Sequence, residues 1–371
     1  MAYACDFSDG ASDYDAADVL KVWTSGTIGS IGTSDVDGGT LVSPTLNKTF
    51  LNSSAARIVG FRYRRLSTPV SNAALFAFTD GGALQVVLLM NSSGQLTFEV
   101  SGTTFIGPDT TTPMSEGTYY IIEFGVLMSN TAGRVEVRIN GNQIAALTSA
   151  ALGGSISNSL DTSATANQSI DGMSLSGVAT ITDEVDWIWT KYDSAVWSAS
   201  DWLGSVRKIT RRPKAGTAGN GFYNTGTGWS IGAGTTTISD VLDETTMDSD
   251  TSYIVRAAAA GTDADRFSVK YEAMPSNTNT VKLMSHRSWV RNTSGSTSTH
   301  KRFLYESTGA TTHDSGVTVT DGTAYATGVS SGTTTSGDHM QDNYLTHPNG
   351  SALSKTLVDS TEGGVKVVTL A

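Results

Sequence analysis

Apolar and polar positions alternate with a two-residue period along most of this chain, a pattern that predicts strands rather than helices. From Ala56 to Arg65, Val59, Phe61 and Tyr63 fall on one face, with Arg62 and Arg64 on the other. Two further runs, Ala73 to Thr79 and Ala83 to Met90, flank Asp80-Gly81-Gly82, a hairpin turn signal. Gln95 to Val100 follows Asn91-Ser92-Ser93-Gly94 in the same manner. Tyr119 to Leu127 sets Tyr120, Ile122, Phe124 and Val126 on one face. Next, Val135, Val137 and Ile139 alternate with Glu136, Arg138 and Asn140. Asn140-Gly141 suits a tight hairpin turn because both residues accept positive φ. Ile144 to Leu147 is expected to return as a strand, Ser149 to Gln168 to form a loop, and Ile170 to Ile181 to add a strand. One helix is expected in this half, over Ser12 to Val22, capped by Ser12 or Asp13 and ended by Trp23-Thr24-Ser25-Gly26.

The stretch from Asp183 to Val206 holds four of the chain's seven Trp residues and marks a seam. It opens as a strand in which Val185, Trp187 and Trp189 alternate with Asp186, Ile188 and Thr190, so the first set is expected to share one face. A second strand-rich pattern follows a basic linker: Gly228 to Ile231, Ser252 to Ala257, Arg266 to Ala273, Thr280 to Arg291, Lys301 to Tyr305, Tyr325 to Gly328 and Gly364 to Leu370. Asp338 to Asn349 and Ala352 to Thr361 read as irregular or weakly helical. The expected architecture is all-β, two successive antiparallel sandwiches over residues 1–206 and 220–371, joined by a linker at 207–219.

Composition supports that reading. Charged residues make up only 16%, yet 12 Tyr, 11 Phe and 7 Trp are enough to build cores, so the Gly- and Ser-rich stretches read as turns rather than disorder. A net charge of −11 argues against nucleic acid as a partner, because phosphate binding needs clustered cations. The one basic cluster, Arg207, Lys208, Arg211, Arg212 and Lys214, reads as a solvated linker or a salt-bridged strand edge. A single cysteine, Cys5, excludes an internal disulfide. No apolar run approaches the roughly 18 residues of a membrane span. The expectation is a protein made in a reducing compartment, with no membrane partner.

Four places, and the ending of the chain with them, carry a resemblance to a known group. Asp6-Phe7, Tyr14 and Ala17-Asp18-Val19-Leu20-Lys21-Val22-Trp23 open the chain. Gly117 to Gln143 forms a strand-hairpin ending in the Asn140-Gly141 turn, and Trp202-Leu203-Gly204-Ser205-Val206-Arg207 leaves the first module. Val241 to Phe267 and Glu362 to Val368 pattern the second. Together these resemble tailed-bacteriophage virion proteins that pair a concanavalin A-like (laminin-G-like) jelly roll with a second β-domain. The resemblance implies a self-assembling particle component, variously a capsid decoration, a head or tail fibre, or a minor tail protein.

Concanavalin A-like folds also include laminarinase-type glycosidases, whose strand carries E-x-D-x-x-E. Here Glu184 and Asp186 match, but Trp189 stands where the second glutamate belongs. A retaining glycosidase needs two carboxyl groups about 5–5.5 Å apart, and Asp183 lies at the strand's entrance, outside the motif. The chain is therefore expected not to be an enzyme. The five histidines, His286, His300, His313, His339 and His347, lack zinc-ligand spacing and read as scattered surface or loop residues. Asp35-Val36-Asp37 and Asp248-Ser249-Asp250 lack the calcium-loop pattern. Neither a metal nor any other cofactor is expected. Trp197 and Trp202, in a polar, irregular segment, are the candidates for stacking on a sugar, set against burial at a domain junction.

These readings converge on a virion structural protein, capsid decoration or head/tail fibre. It would assemble in the host bacterial cytoplasm, homo-oligomerise, and partner other virion proteins. A tail protein recognising host surface glycans and an inactive or residual glycoside hydrolase-like jelly roll are the alternatives.

Overall fold

In the computed structural model the described residues are 4–10, 22–33, 39–69, 72–100, 104–176, 183–206, 208–209, 211, 222–224, 229–233, 253–256, 266–278, 280–289, 298–306, 311–321, 339–347 and 350–370. The chain divides into two units, Met1–Lys208 and Ile209–Ala371.

Among the described residues the first unit has fifteen strands. In chain order they are β1 (Ala4–Gly10), β2 (Ser25–Thr27), β3 (Ser30–Thr33), β4 (Gly39–Val42) and β5 (Thr45–Ser54). Next come β6 (Ala56–Arg65), β7 (Ala73–Asp80), β8 (Ala83–Met90), β9 (Leu96–Val100) and β10 (Thr104–Ile106). The last are β11 (Tyr119–Leu127), β12 (Arg134–Ile139), β13 (Asn142–Gln143), β14 (Ile170–Ser176) and β15 (Asp183–Asp193). They pair antiparallel into two sheets. One runs β13-β12-β11-β6-β15-β4-β3, with β1 also on β15; the other runs β10-β9-β8-β7-β14-β5-β2. This is the antiparallel sandwich that the alternation predicts.

Aromatic side chains bridge the sheets. Phe61 stacks on Phe76 at 5.9 Å and Phe124 on Phe78 at 5.8 Å, with Phe98 tilted against Phe124 at 6.1 Å. All five rings are fully buried, so each contributes roughly 1.5–3 kcal/mol of apolar burial. The turns follow their chemistry. Gly81 and Gly82 take φ of 56° and 82° between β7 and β8, and Asn140 and Gly141 take 53° and 80° between β12 and β13. The opening motif is a packing joint: Phe7 meets Trp23 edge-to-face at 5.2 Å, and Trp23 Nε1 donates to Asp9 Oδ2 at 2.7 Å.

Several expectations change. After β13 the chain forms a short 3-10 turn at Ala145–Leu147, not a returning strand, because Leu147 turns inward to the core. The expected helix over Ser12 to Val22 lies outside the described residues, except for Val22 at its end. On β15 the simple alternation breaks. A bulge between Val185 and Ile188 sets Val185 against Tyr63 and Ile188 against Phe61, so both face the core. One extra residue reverses the phase, which sends Trp189 to the outer face.

The second unit is also antiparallel. Its strands are β16 (Phe222–Asn224), β17 (Trp229–Ala233), β18 (Tyr253–Arg256), β19 (Arg266–Lys270), β20 (Met284–Trp289), β21 (Ser298–Glu306), β22 (Thr311–Asp321), β23 (His339–Tyr344) and β24 (Thr361–Leu370). A five-stranded sheet runs β16-β19-β24-β21-β22, and β17-β18 and β20-β23 form two pairs. The expected irregular segment at Asp338 to Asn349 contains β23, which pairs with β20 over its whole length. The weakly helical Ala352 to Thr361 carries α1 (Lys355–Asp359), capped by Ser354. Its Asp359 takes ion pairs from Lys355 and, at 3.3 Å, from Arg211, so this member of the basic linker cluster is a structural cation. Arg207, Arg212, Lys214 and the expected strand Tyr325 to Gly328 lie outside the described residues.

Candidate functional site

Because Val59, Phe61 and Tyr63 point into the core, their neighbours on β6 line the outer face of the eight-stranded sheet. Strand register then fixes rows across that face. Glu184, Arg64 and Tyr119 form one row, and Asp186 sits beside Arg62 in the next. Trp189, Gly60, Glu123 and Arg138 form a third row; Lys191, Ile58, Gly125 and Glu136 form a fourth.

The third and fourth rows are sealed. Two glycines leave hollows in mid-sheet, and indoles fill them. A side chain at Gly60 would meet the Trp189 ring at 2.3–2.5 Å, and one at Gly125 would meet Trp197 and Trp202 at 2.9–3.0 Å. Both latter residues come from the segment after β15, which crosses back over β11 and β12 as a strap. Trp197 Nε1 donates to Glu136 Oε2 at 2.6 Å, and Gly204 N donates to Glu123 Oε1 at 2.8 Å. Lys191 Nζ donates to the Asp201 carbonyl, and the Arg138 guanidinium lies 4.5 Å from the centroid of a Trp202 ring. Glu136 also accepts from Arg138 Nε and Gln143 Nε2 at 2.7 and 3.0 Å. Glu136 and Lys191 are therefore buried charges held by hydrogen bonds, which is what makes their burial tolerable, while Glu123 is held through Oε1 and its Oε2 is buried without a partner. Burial raises the Glu123 carboxyl above its usual range, against the Gly204 N–H and the Arg138 charge.

The first two rows are more open. Arg64 donates twice to Glu184 Oε2, from Nε at 2.7 Å and from Nη2, and Tyr119 OH donates to the same oxygen at 2.9 Å. Arg62 Nη1 meets Asp186 Oδ2 at 2.6 Å. The Arg62 and Arg64 guanidinium carbons lie 3.6 and 4.4 Å from the Tyr119 ring centroid. Burial, the Glu184 hydrogen bond and the Glu184 charge together push the Tyr119 phenol up to about 12. A quarter of the Arg64 side-chain surface and half-buried Tyr119 remain accessible, against 9% of Glu184 and none of Asp186. This end offers a fixed cation, a phenol and a carboxylate on a rigid sheet, groups able to hydrogen-bond a polyhydroxylated or anionic ligand.

The β15 bulge gathers Glu184, Asp186 and Trp189 onto this one face, where simple alternation had set Trp189 with Val185 on the other. Asp183 points the opposite way. Trp197 and Trp202 are 5% and 6% exposed, and they meet each other edge-to-face at 5.8 Å, so neither presents a ring face for a sugar in this arrangement. They cover their own unit's sheet. The alternation on β6 and β12 exposed Arg62, Arg64, Glu136 and Arg138 as a second face, but nothing in one dimension showed that a later strap would cover half of it. Among the described residues no group of three His, Cys, Asp or Glu side chains could hold a metal ion. His286 and His347 are buried rather than on the surface: His286 packs edge-on to Tyr271, and His347 Nε2 lies 3.2 Å from Thr361 Oγ1. No helix among the described residues is long and apolar enough to cross a membrane.

No family model and no curated protein matches this chain. Solved structures do. Cellulose induced protein Cip1 is 14% identical, with a TM-score of 0.35, over 53% of this chain and 94% of that one. Domain 4 of AbnA, a GH43 extracellular arabinanase from Geobacillus stearothermophilus solved with arabinotriose, is 12% identical, with a TM-score of 0.36, over 54% and 97%. A carbohydrate esterase from the Shiga toxin-encoding bacteriophage phi24B is 16% identical, with a TM-score of 0.35, over 52% and 100%. Trypanosoma rangeli sialidase is 12% identical at a TM-score of 0.30, and the match spans 46% of this chain and only 28% of the sialidase. At these identities the likeness is one of fold, an antiparallel β-sandwich. One expectation is corrected by it. A sialidase, an arabinanase domain and a carbohydrate esterase are among these neighbours, so the exclusion of catalysis drawn from Trp189 in place of a glutamate does not stand.

Proposed function

We propose that this chain is a structural component of a tailed-bacteriophage virion, a capsid decoration or a head or tail fibre. The observation that carries this reading is where the family-like residues fall. Phe7 and Trp23 pack together, Tyr119 to Gln143 forms the β11–β12–β13 hairpin, and Trp202 to Gly204 forms the end of the strap bound to Glu123. The likeness thus lies on the joints that build the unit, and it supports shared architecture and a shared setting. Particles of this kind assemble by docking copies on a repeating lattice, and burial between copies would add stability to a chain whose single cysteine allows no internal disulfide. Quantitative mass spectrometry of purified particles of the encoding phage tests it. The protein should band with the particle, at hundreds of copies for a decoration or a few to a dozen for a fibre. Absence from washed particles would contradict the proposal.

A second reading, adhesion to a host surface glycan, is favoured by the accessible Arg64–Glu184–Tyr119 row. Trp197 and Trp202 could serve it only by leaving the strap. Glycan-array binding lost in both Arg64→Ala and Tyr119→Ala, with wild-type unfolding curves, would support adhesion. Silence of the wild-type protein across arrays would count against it.

A further inference from the structure

Asp183 opens β15 directly before Glu184, but its side chain points to the core side, toward the end of the inter-sheet space. It is 2% exposed, its Oδ1 has no hydrogen-bond partner, and no cation lies within ion-pair distance among the described residues. Its cross-strand neighbour Arg65 does not neutralise it. That guanidinium lies instead against Gly94, and its Nε and Nη1 are also buried without partners. Tyr63, two residues before Arg65, carries a third orphan, its buried hydroxyl. Among the described residues, the titratable and charged groups around Asp183 are therefore Tyr63 and Arg65 on β6 and Glu184 on its own strand; β4, on the other side, brings Gly39, Thr40, Leu41 and Val42.

An ionised carboxylate costs several kcal/mol to bury without a counter-ion, so such a group keeps its proton instead. We propose that Asp183 is a buried, proton-carrying acid below neutral pH, and that release of its proton loosens the first unit as the pH rises to neutrality. Burial is the main cause and pushes the carboxyl up to about 7; its own backbone N–H opposes the shift and the Glu184 charge adds to it. The folded state then binds a proton that the unfolded chain, with an ordinary carboxyl near 3.9, has released. Stability from this residue is present at acidic pH and is lost as pH rises through about 7. Alkaline conditions also place a second negative charge beside Glu184, at the accessible end of the outer face.

Urea unfolding of the full chain, followed by Trp fluorescence, tests this, because five of the seven Trp residues belong to the first unit. The unfolding constant should grow roughly a hundredfold between pH 5 and pH 8. Asp183→Asn, which imitates the protonated acid, should remove most of that slope, leaving the smaller part due to Glu123. A flat or rising wild-type stability over this range, or an unchanged slope in Asp183→Asn, would overturn the proposal. If that variant does not fold, infrared spectra of Glu123→Gln supply the second readout. A protonated-carboxyl band at pH 6 that titrates away near 7 is expected, and a spectrum without one would overturn it.

Discussion

The two faces of the eight-stranded sheet are equally well buried over much of their area, yet they are stabilised by opposite chemistry. Inward, Phe61, Phe124, Val135 and Val137 interlock with Phe76, Phe78 and Phe98 of the other sheet, and shape alone decides the fit. Outward, Glu123, Glu136 and Lys191 lie under a strap, and each needs its named hydrogen-bond partner. Burial at the outer face is therefore conditional. Removing an inner group leaves a void, whereas removing an outer group strands a charge or a donor.

Substitutions that separate those costs sharpen the contrast. The largest effect is expected at the inner face: Phe124→Ala should lose about 3–5 kcal/mol of unfolding free energy in urea titration. Glu136→Ala should cost about 2–3 kcal/mol, because Trp197 Nε1 and Arg138 lose their acceptor. A loss below that of an ordinary surface change would break the claim that the strap is pinned there. Gly125→Ala should cost about 1–3 kcal/mol through overpacking against Trp197 and Trp202, and should move their fluorescence. The smallest effect belongs to the open end: Arg64→Ala should cost no more than about 1 kcal/mol, and less in high salt, since its guanidinium is a quarter exposed.

The inner face was largely legible in the sequence, because its residues on β6, β11 and β12 obey the two-residue period and the hairpin turns at 81–82 and 140–141 carry Gly or Asn. Val59, Phe61 and Tyr63, or Ile122, Phe124 and Val126, need no partner to declare their side. The outer face was legible only as polar. Glu136 and Arg138 look like solvated charges until a segment sixty residues later covers them. On β15 the run of apolar and aromatic residues hides its bulge, since Trp187, Ile188 and Trp189 are all acceptable on either side. The accessible row depends on a cross-strand register between residues 64, 119 and 184, which no local pattern records.

The strap seals a polar layer on the outer face and leaves the Glu184 end open. Hydrogen exchange of the Trp197 indole N–H, read by NMR on the intact chain, tests it most directly. Exchange should be slowed to the rate of unfolding of the first unit, and should become fast with an intact β15 once Glu136 is replaced by Ala. Exchange of the wild-type indole at the rate of a free tryptophan would contradict it.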